Sequence, residues 1–257
     1  MALGFKFLSV ADQTYHWHLL DREVYLAIWI AVFTLLGLYL IGKIRFKHDS
    51  PLEYLSVGRL TLAIATFAFV VYLIPGMWGA PLKALSGYLP PLETQDFVLD
   101  RYAPPAVSEV QEAAPLALPH GLTGYDSIDA ALAEAKAQGK PVFVDISGHG
   151  CVNCREMEAR VWSDPQVRRL LADEFVIAVL YMDDKTKLPE SRWVTTPAGK
   201  VLKDVGRVNS YIAQTRFGVN AQPNYALLSP EGELLVPVRG YDLSVPGFVE
   251  FLQSALK

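Results

Sequence analysis

Residues Val24 to Gly42, VYLAIWIAVFTLLGLYLIG, run for 19 positions without a charge, and Leu60 to Leu82 run for 23 more. As helices rising 1.5 Å per residue, both stretches are long enough to cross a hydrocarbon core of about 30 Å. A buried core helix of a soluble protein would show the same pattern, so composition has to decide. Of the 257 residues, 51% are hydrophobic and only 19% are charged, against about 25% charged in ordinary soluble domains. Aromatic residues stand near the ends of both stretches (Tyr25, Trp29 and Tyr39; Tyr72 and Trp78), where interfacial belts form. Two transmembrane helices are therefore predicted, at about 24–42 and 60–82, with the lipid bilayer as a partner. A net charge of −4 argues against nucleic-acid binding, which needs a basic face.

Neither stretch reads as a cleaved signal peptide, because the first lies far from Met1 and has no basic segment before it. The connection between them, KIRFKHDSPLEYLSVGR, carries Lys43, Arg45, Lys47 and Arg59, whereas the flanks offer Lys6, Arg22 and Lys83. The positive-inside rule then puts this connection in the cytoplasm and both ends of the chain outside it. The expected location is an inner (cell) membrane, multi-pass, with the C-terminal domain in the periplasm, where thiols can be oxidised. Residues 1–90 are read as the membrane region and 91–121 as a linker, rich in proline (Pro91, Pro104, Pro105, Pro115, Pro119) and without periodicity.

From 122 to 257 the pattern changes. DSIDAALAEAKAQG reads as a helix, KPVFVDIS as a buried strand, and CVNCREMEARVW as a helix beginning at its first cysteine. DPQVRRLLADE is a further helix and FVIAVLYMD a second buried strand. SYIAQTRFG reads as a short helix, NYALLSPEGELLVPV as a hairpin, and VPGFVEFLQSAL as a closing amphipathic helix. The stretch from Asp184 to Gly206 is an insertion, read as surface or as a lid or docking element. The expected fold class is two transmembrane α-helices followed by an α/β domain with the element order of thioredoxin.

Both cysteines of the chain, Cys151 and Cys154, lie in GHGCVNC. Three readings compete: a redox dithiol, part of a metal site, or an inert buried pair. A dithiol works through a thiolate, which a helix N-terminus favours, and a second thiol one turn later can attack the resulting mixed disulfide. The metal reading has His149 and the two cysteines as three ligands, but no second CxxC or HxxxH follows, and no metal is assigned. Covalent haem attachment needs a histidine directly after Cys154, where Arg155 stands. His149 is taken as a loop residue beside the dithiol, where it tunes the thiolate or binds substrate. His16 and His18 stand too isolated to claim. Glu156 and Glu158 either raise the thiol pKa values or form a solvated helix face.

The CxxC at a helix start after VFVDISGHG resembles a thioredoxin-like domain. Asp145 then stands where thioredoxins keep a buried acid, and an isolated acid in VFVDIS is costly to bury without a task. Pro223, preceded by Gln222 in NAQPNYALL, stands where that fold keeps a substrate-facing cis proline. With CVNCREME, LLGLYLIGKIRF, YLIPGMWGAPLKALSG and VLYMDDKTKLPE, the chain resembles the DsbD family of thiol:disulfide interchange proteins, in particular the C-terminal part of Bacteroidetes-type versions. The resemblance implies a protein-disulfide reductase in a relay from a membrane-embedded cysteine pair to periplasmic disulfide isomerases and cytochrome c maturation thioredoxins. It makes Cys151 the attacking thiol, Cys154 the resolving one, Asp145 and Glu158 nearby acids, and the Cys151–Cys154 disulfide the redox centre, with no separate cofactor. The two spans hold no cysteine, so the electron donor is expected elsewhere, with this chain a fragment or one half of a pair. An oxidase or isomerase of the same fold, or a peptide- or metal-binding module without redox activity, are the alternatives.

Overall fold

The computed structural model describes residues 2–49, 53–95 and 116–256. The proposed linker falls mostly on 96–115, outside the described residues.

A helix that the periodicity did not announce comes first, α1 (Ala2–Tyr15). The two apolar helices follow as α2 (Arg22–Leu40) and α3 (Val57–Leu73), the second continued by a 3-10 turn over Ile74–Trp78. Both are long and apolar enough to cross a membrane. The first starts two residues before the uncharged run because Arg22 is accommodated rather than excluded. Its buried guanidinium donates to the carbonyls of Pro90 (2.7 Å), Ala80 (3.2 Å) and Pro81 (3.3 Å). The second stops short of Leu82 because Pro75 has no N–H to continue the ladder. Arg59 closes the other end of the pair, donating to the carbonyls of Leu40 and Tyr39 (both 3.0 Å) at the end of α2, where the Gly42 N–H also donates to Tyr39 (3.0 Å). Between the helices, Trp29, Phe33 and Phe69 pack ring to ring at 4.8–6.2 Å between centroids.

The C-terminal domain begins earlier than expected. β1 (Leu116–Leu118) and β2 (Leu122–Gly124) form a small antiparallel pair, so the last residues assigned to the linker are ordered structure. Then come α4 (Ile128–Gln138), β3 (Val142–Ser147), α5 (Val152–Met157, continuing as a π-helix through Trp162), α6 (Pro165–Glu174) and β4 (Val176–Tyr181). The insertion folds as a two-residue hairpin, β5 (Val194–Thr195) with β6 (Val201–Leu202). α7 (Val205–Phe217) is longer than the predicted SYIAQTRFG because Asp204 caps it, accepting from the Arg207 N–H at 3.0 Å. β7 (Asn224–Leu228), β8 (Arg239–Gly240) and α8 (Val245–Ser254) complete the chain. The predicted hairpin over NYALLSPEGELLVPV survives as a turn with a single Leu228–Leu234 bridge, and β8 is the strand that pairs with β7.

The main sheet runs β4-β3-β7-β8, parallel between β3 and β4 and antiparallel elsewhere. Alternation along β3 sorts its side chains to two cores. Val142, Val144 and Ile146 face α4 and α7, with Ala131, Ala135, Ala213 and Phe217. Phe143 faces α5, α6 and α8, with Met157, Trp162, Leu171 and Phe248. This is a three-layer α/β sandwich of the thioredoxin-like kind. Asp145, two residues after Phe143, shares its face and therefore lies under α5 and its π continuation.

Gly206, in the first turn of α7, donates its N–H to the carbonyl of Asp184 at 2.9 Å. A Cβ there would stand 2.6 Å from that carbonyl oxygen and 2.7 Å from that of Met182. Backbone cannot swing aside as a side-chain tip can, so Gly206→Ala is expected to destabilise the domain by about 1–3 kcal/mol. Denaturant unfolding measures this; an unchanged midpoint would show that the α7 start is loosely seated.

Candidate active site

β3 ends at Ser147, and Gly148, His149 and Gly150 carry the chain to Cys151, which caps α5. The Asp183 carboxylate, just past β4, shapes this turn by accepting the N–H groups of His149 and Gly150, both at 2.8 Å. Cys151 and Cys154 are joined as a disulfide with Cα atoms 5.3 Å apart. The Cys154 N–H donates to the Cys151 sulfur at 3.1 Å. That bond and the helix N-terminus would both stabilise negative charge on Cys151 in the reduced state. Cys151 is 8% exposed and Cys154 only 1%, so the first is the sulfur an incoming partner meets.

Asp145 is buried beneath this turn, and its Oδ1 has no hydrogen-bond partner among the described residues. Burial pushes its pKa well above the usual carboxylate range. Glu158 nearby adds to the rise, against the opposing pull of Arg155 and a hydrogen bond with Ser147. Glu158 is also buried and pairs with Arg155 at 2.8 Å. Tyr225, opposite Asp145 in the β3–β7 register, has its phenol pKa raised by burial and then by Asp145 and Glu158. The two glutamates thus have separate fates. Glu158 belongs to the buried acid group, while Glu156 sits on the outer helix face, accepting from Tyr241 (2.6 Å) and Arg160 (2.8 Å). These two bonds hold the Glu156 pKa below its ordinary value.

The peptide bond between Gln222 and Pro223 is cis, and Asn224, the next residue, opens β7 opposite Ile146. The Gln222 amide packs so closely over Gly148 that a Cβ at that glycine would collide with it. This brings 222–223 to the same end of the sheet as the dithiol. The His149 ring stacks on Tyr181 (centroids 4.0 Å apart) and reaches Asp184 Oδ2 at 3.2 Å. It is thereby held against the end of β4, in the turn that leads to Cys151.

Several site residues were not legible in the sequence. His16, set aside as isolated, lies 3.1 Å from Asp184 Oδ2 and crosses the His149 ring at 87°. Asp184 itself is pushed up by burial, yet hydrogen bonds from His149 and Thr186 outweigh this and hold its pKa below the usual range. Val10 of α1 lies against Gly150, and Gly87 against Val152, so the membrane-proximal part of the chain flanks the dithiol turn. Lys6 donates to the Gly87 carbonyl at 3.0 Å; burial, then Arg155, lowers its pKa to about 8. Arg155, directly after CxxC, was the one local signal that a buried cation accompanies the acids.

A thioredoxin-like protein family matches residues 123–202. A thiol:disulfide interchange protein DsbD of Citrobacter koseri is 43% identical over 56 residues, which is 22% of this chain and 10% of that protein. The DsbD of Escherichia coli K12 is 46% identical over 52 residues, 20% of this chain and 9% of its own. The matched stretches thus span about a tenth of these relatives' length. Among solved structures, a DsbH oxidoreductase aligns with a TM-score of 0.41 at 18% identity, covering 59% of this chain and 94% of its own. A thioredoxin from Thermus thermophilus aligns at 0.37 and 27% identity, covering 50% and 83%. The family match covers the stretch that holds both cysteines, and the thioredoxin-like domain carries them as a CxxC pair joined in a disulfide.

Because the folded pKa of Asp145 lies above its unfolded value, its contribution to stability is complete below about pH 4 and is lost as pH rises through the folded value. Asp145→Asn should therefore stabilise the domain at neutral pH by on the order of 1–3 kcal/mol, with the gain vanishing in acid. It should also slow disulfide exchange by about 100-fold. Unfolding at several pH values together with exchange rates checks both; equal stability at all pH values would remove the buried acid from the account.

Proposed function

We propose that this chain is a membrane-anchored thiol–disulfide reductase whose thioredoxin-like domain faces the periplasm. The observation that carries the reading is the Cys151–Cys154 disulfide at the start of α5, over a buried acid of raised pKa. α2 and α3 are read as the anchor, oriented by the basic residues between them. The identity with DsbD proteins supports reading the chain as the C-terminal part of a relay of that kind.

In the forward step the Cys151 thiolate attacks a disulfide of the acceptor, forming a Cys151–acceptor mixed disulfide and releasing one acceptor thiolate. Asp145 takes the proton of Cys154, with Glu158 and Arg155 setting how readily it does so. The Cys154 thiolate then attacks the Cys151 sulfur and frees the second acceptor thiolate. The acceptor gains two electrons, one proton relayed from Cys154 through Asp145 and a second from water, and the chain returns to its disulfide form. Gln222, Pro223 and the His149 turn are read as the surface on which an acceptor strand lies. Re-reduction needs a dithiol donor, here a membrane-embedded cysteine pair outside the two spans. The acceptors are read as periplasmic thioredoxin-like proteins, disulfide isomerases and cytochrome c maturation thioredoxins among them. The disulfide serves as the redox centre, with no separate cofactor.

Cys154→Ser removes the resolving thiol and should accumulate mixed disulfides on Cys151 when the chain is expressed in a bacterial envelope. Reductant should release thioredoxin-like partners, and Cys151→Ser should trap none. No adducts, together with thiols in the reduced wild-type chain that resist alkylation at neutral pH, would leave a binding module. Net transfer of the disulfide to reduced substrates would instead make the protein an oxidase.

A further inference from the structure

His16 and His149 lie 133 positions apart in the sequence, yet both aim Nε2 at the same carboxylate oxygen. The distances to Asp184 Oδ2 are 3.1 Å from His16 and 3.2 Å from His149, and the three atoms lie within 4.8 Å of one another. Each side chain is held from behind. Asp184 is buried, and its Oδ1 accepts the Thr186 N–H at 2.7 Å, which turns Oδ2 toward the two rings. The His149 ring is fixed by its stack on Tyr181, and the His16 ring crosses it nearly at right angles, centroids 5.2 Å apart. The neighbouring Asp183 is committed elsewhere, to the N–H groups of His149 and Gly150.

We propose that His16, His149 and Asp184 form a binding site for one divalent late transition-metal ion, of the zinc or cobalt kind. Two imidazole nitrogens and one carboxylate oxygen are the donors such ions take, and three protein ligands leave a fourth position for water. Bonds of about 2.0–2.1 Å in a tetrahedral site put ligand atoms about 3.3 Å apart. Two of the three separations are already near that value, so only the two histidines need draw together. The ion would replace two hydrogen bonds by two metal–nitrogen bonds, each ring then carrying its proton on Nδ1. The ligands come from the end of α1, the turn before α5 and the end of β4, so the ion would fasten α1 to the turn that delivers Cys151.

The site is distinct from the dithiol reading, and the test separates them. The full chain in detergent, oxidised so that the disulfide cannot ligate, is titrated with Co2+ and followed by visible absorption, with Zn2+ equilibrium dialysis for stoichiometry. One ion per chain is expected, with the bands of a nitrogen- and oxygen-ligated tetrahedral centre. His16→Ala and Asp184→Asn should each weaken binding at least about tenfold, while His18→Ala should not. His16→Gln keeps a polar side chain at that half-exposed position and should weaken binding without altering metal-free unfolding. A Cys151→Ser/Cys154→Ser variant should lose disulfide exchange and keep the ion. Equal binding, or none, in wild type and in a His16→Ala/His149→Ala variant would overturn the site. So would loss of binding in the double cysteine variant, which would make the sulfurs the ligands.

Discussion

One carboxylate decides where the reactive sulfur stands. Asp183, just beyond β4, accepts the backbone N–H groups of His149 and Gly150, and so fixes the turn in which β3 passes into α5. β4 and β3 are parallel neighbours, so the clamp is built from the sheet itself. The Cys151 sulfur is then placed to accept from the Cys154 N–H at the start of the helix. Everything proposed for the dithiol depends on this placement, since a thiolate displaced from the helix start loses the backbone dipoles that stabilise it. The next residue, Asp184, meets the rings of His149 and His16. Two consecutive aspartates thus serve two structures, the dithiol turn and the histidine cluster.

Beneath the turn the sheet carries an uncommon load for an apolar core. Asp145, Arg155, Glu158 and Tyr225 are all buried within one face otherwise made of Phe143, Met157, Trp162 and Phe248. The Arg155–Glu158 pair at 2.8 Å offsets part of the desolvation, yet Asp145 remains above its ordinary range. A buried pair of this kind is weak evidence for stability, because desolvation consumes much of the attraction. Its presence beneath a disulfide is better explained by proton handling than by folding, since a carboxyl of raised pKa can take a proton when ionised and give it back when neutral as the disulfide closes and opens.

The apolar helices are not remote from this chemistry. Gly87, in the segment that follows the second helix and its 3-10 turns, lies against Val152, and Val10 of α1 lies against Gly150. The Lys185 N–H donates to the Thr14 carbonyl at 2.9 Å, adding a backbone tie between α1 and the β4 side of the domain. The dithiol turn is therefore flanked by segments from the first ninety residues. Access to the dithiol is thereby linked with the seating of α1.

Local rules made much of this protein readable. Uncharged runs announced two long helices, alternation and β-branched runs announced β3 and β4, and Cys-x-x-Cys after a buried strand announced the dithiol at a helix start. Asp145 stood out because it interrupts the apolar run VFVDIS, where an acid is costly to bury without a task. What escaped was whatever depends on partners far away in the chain. Arg22 starts a helix because Pro90, Ala80 and Pro81 supply carbonyls for it, and no neighbour in sequence reveals them. β1 is a strand because β2 pairs with it, although LAL beside proline reads as linker. Glu156 and Glu158 look alike as letters, and only the packing of α5 on the sheet sends one to solvent and the other to the core. His16 meets His149 because a helix of fourteen residues happens to end beside β4. By itself, then, the sequence determined the two apolar helices, the main elements from α4 onward and the reactive pair, since hydrophobic period, capping and CxxC spacing act over a few residues. The acid cluster, the clamp and the histidine site were decided by tertiary structure, because burial and charge proximity exist only once distant segments share one volume.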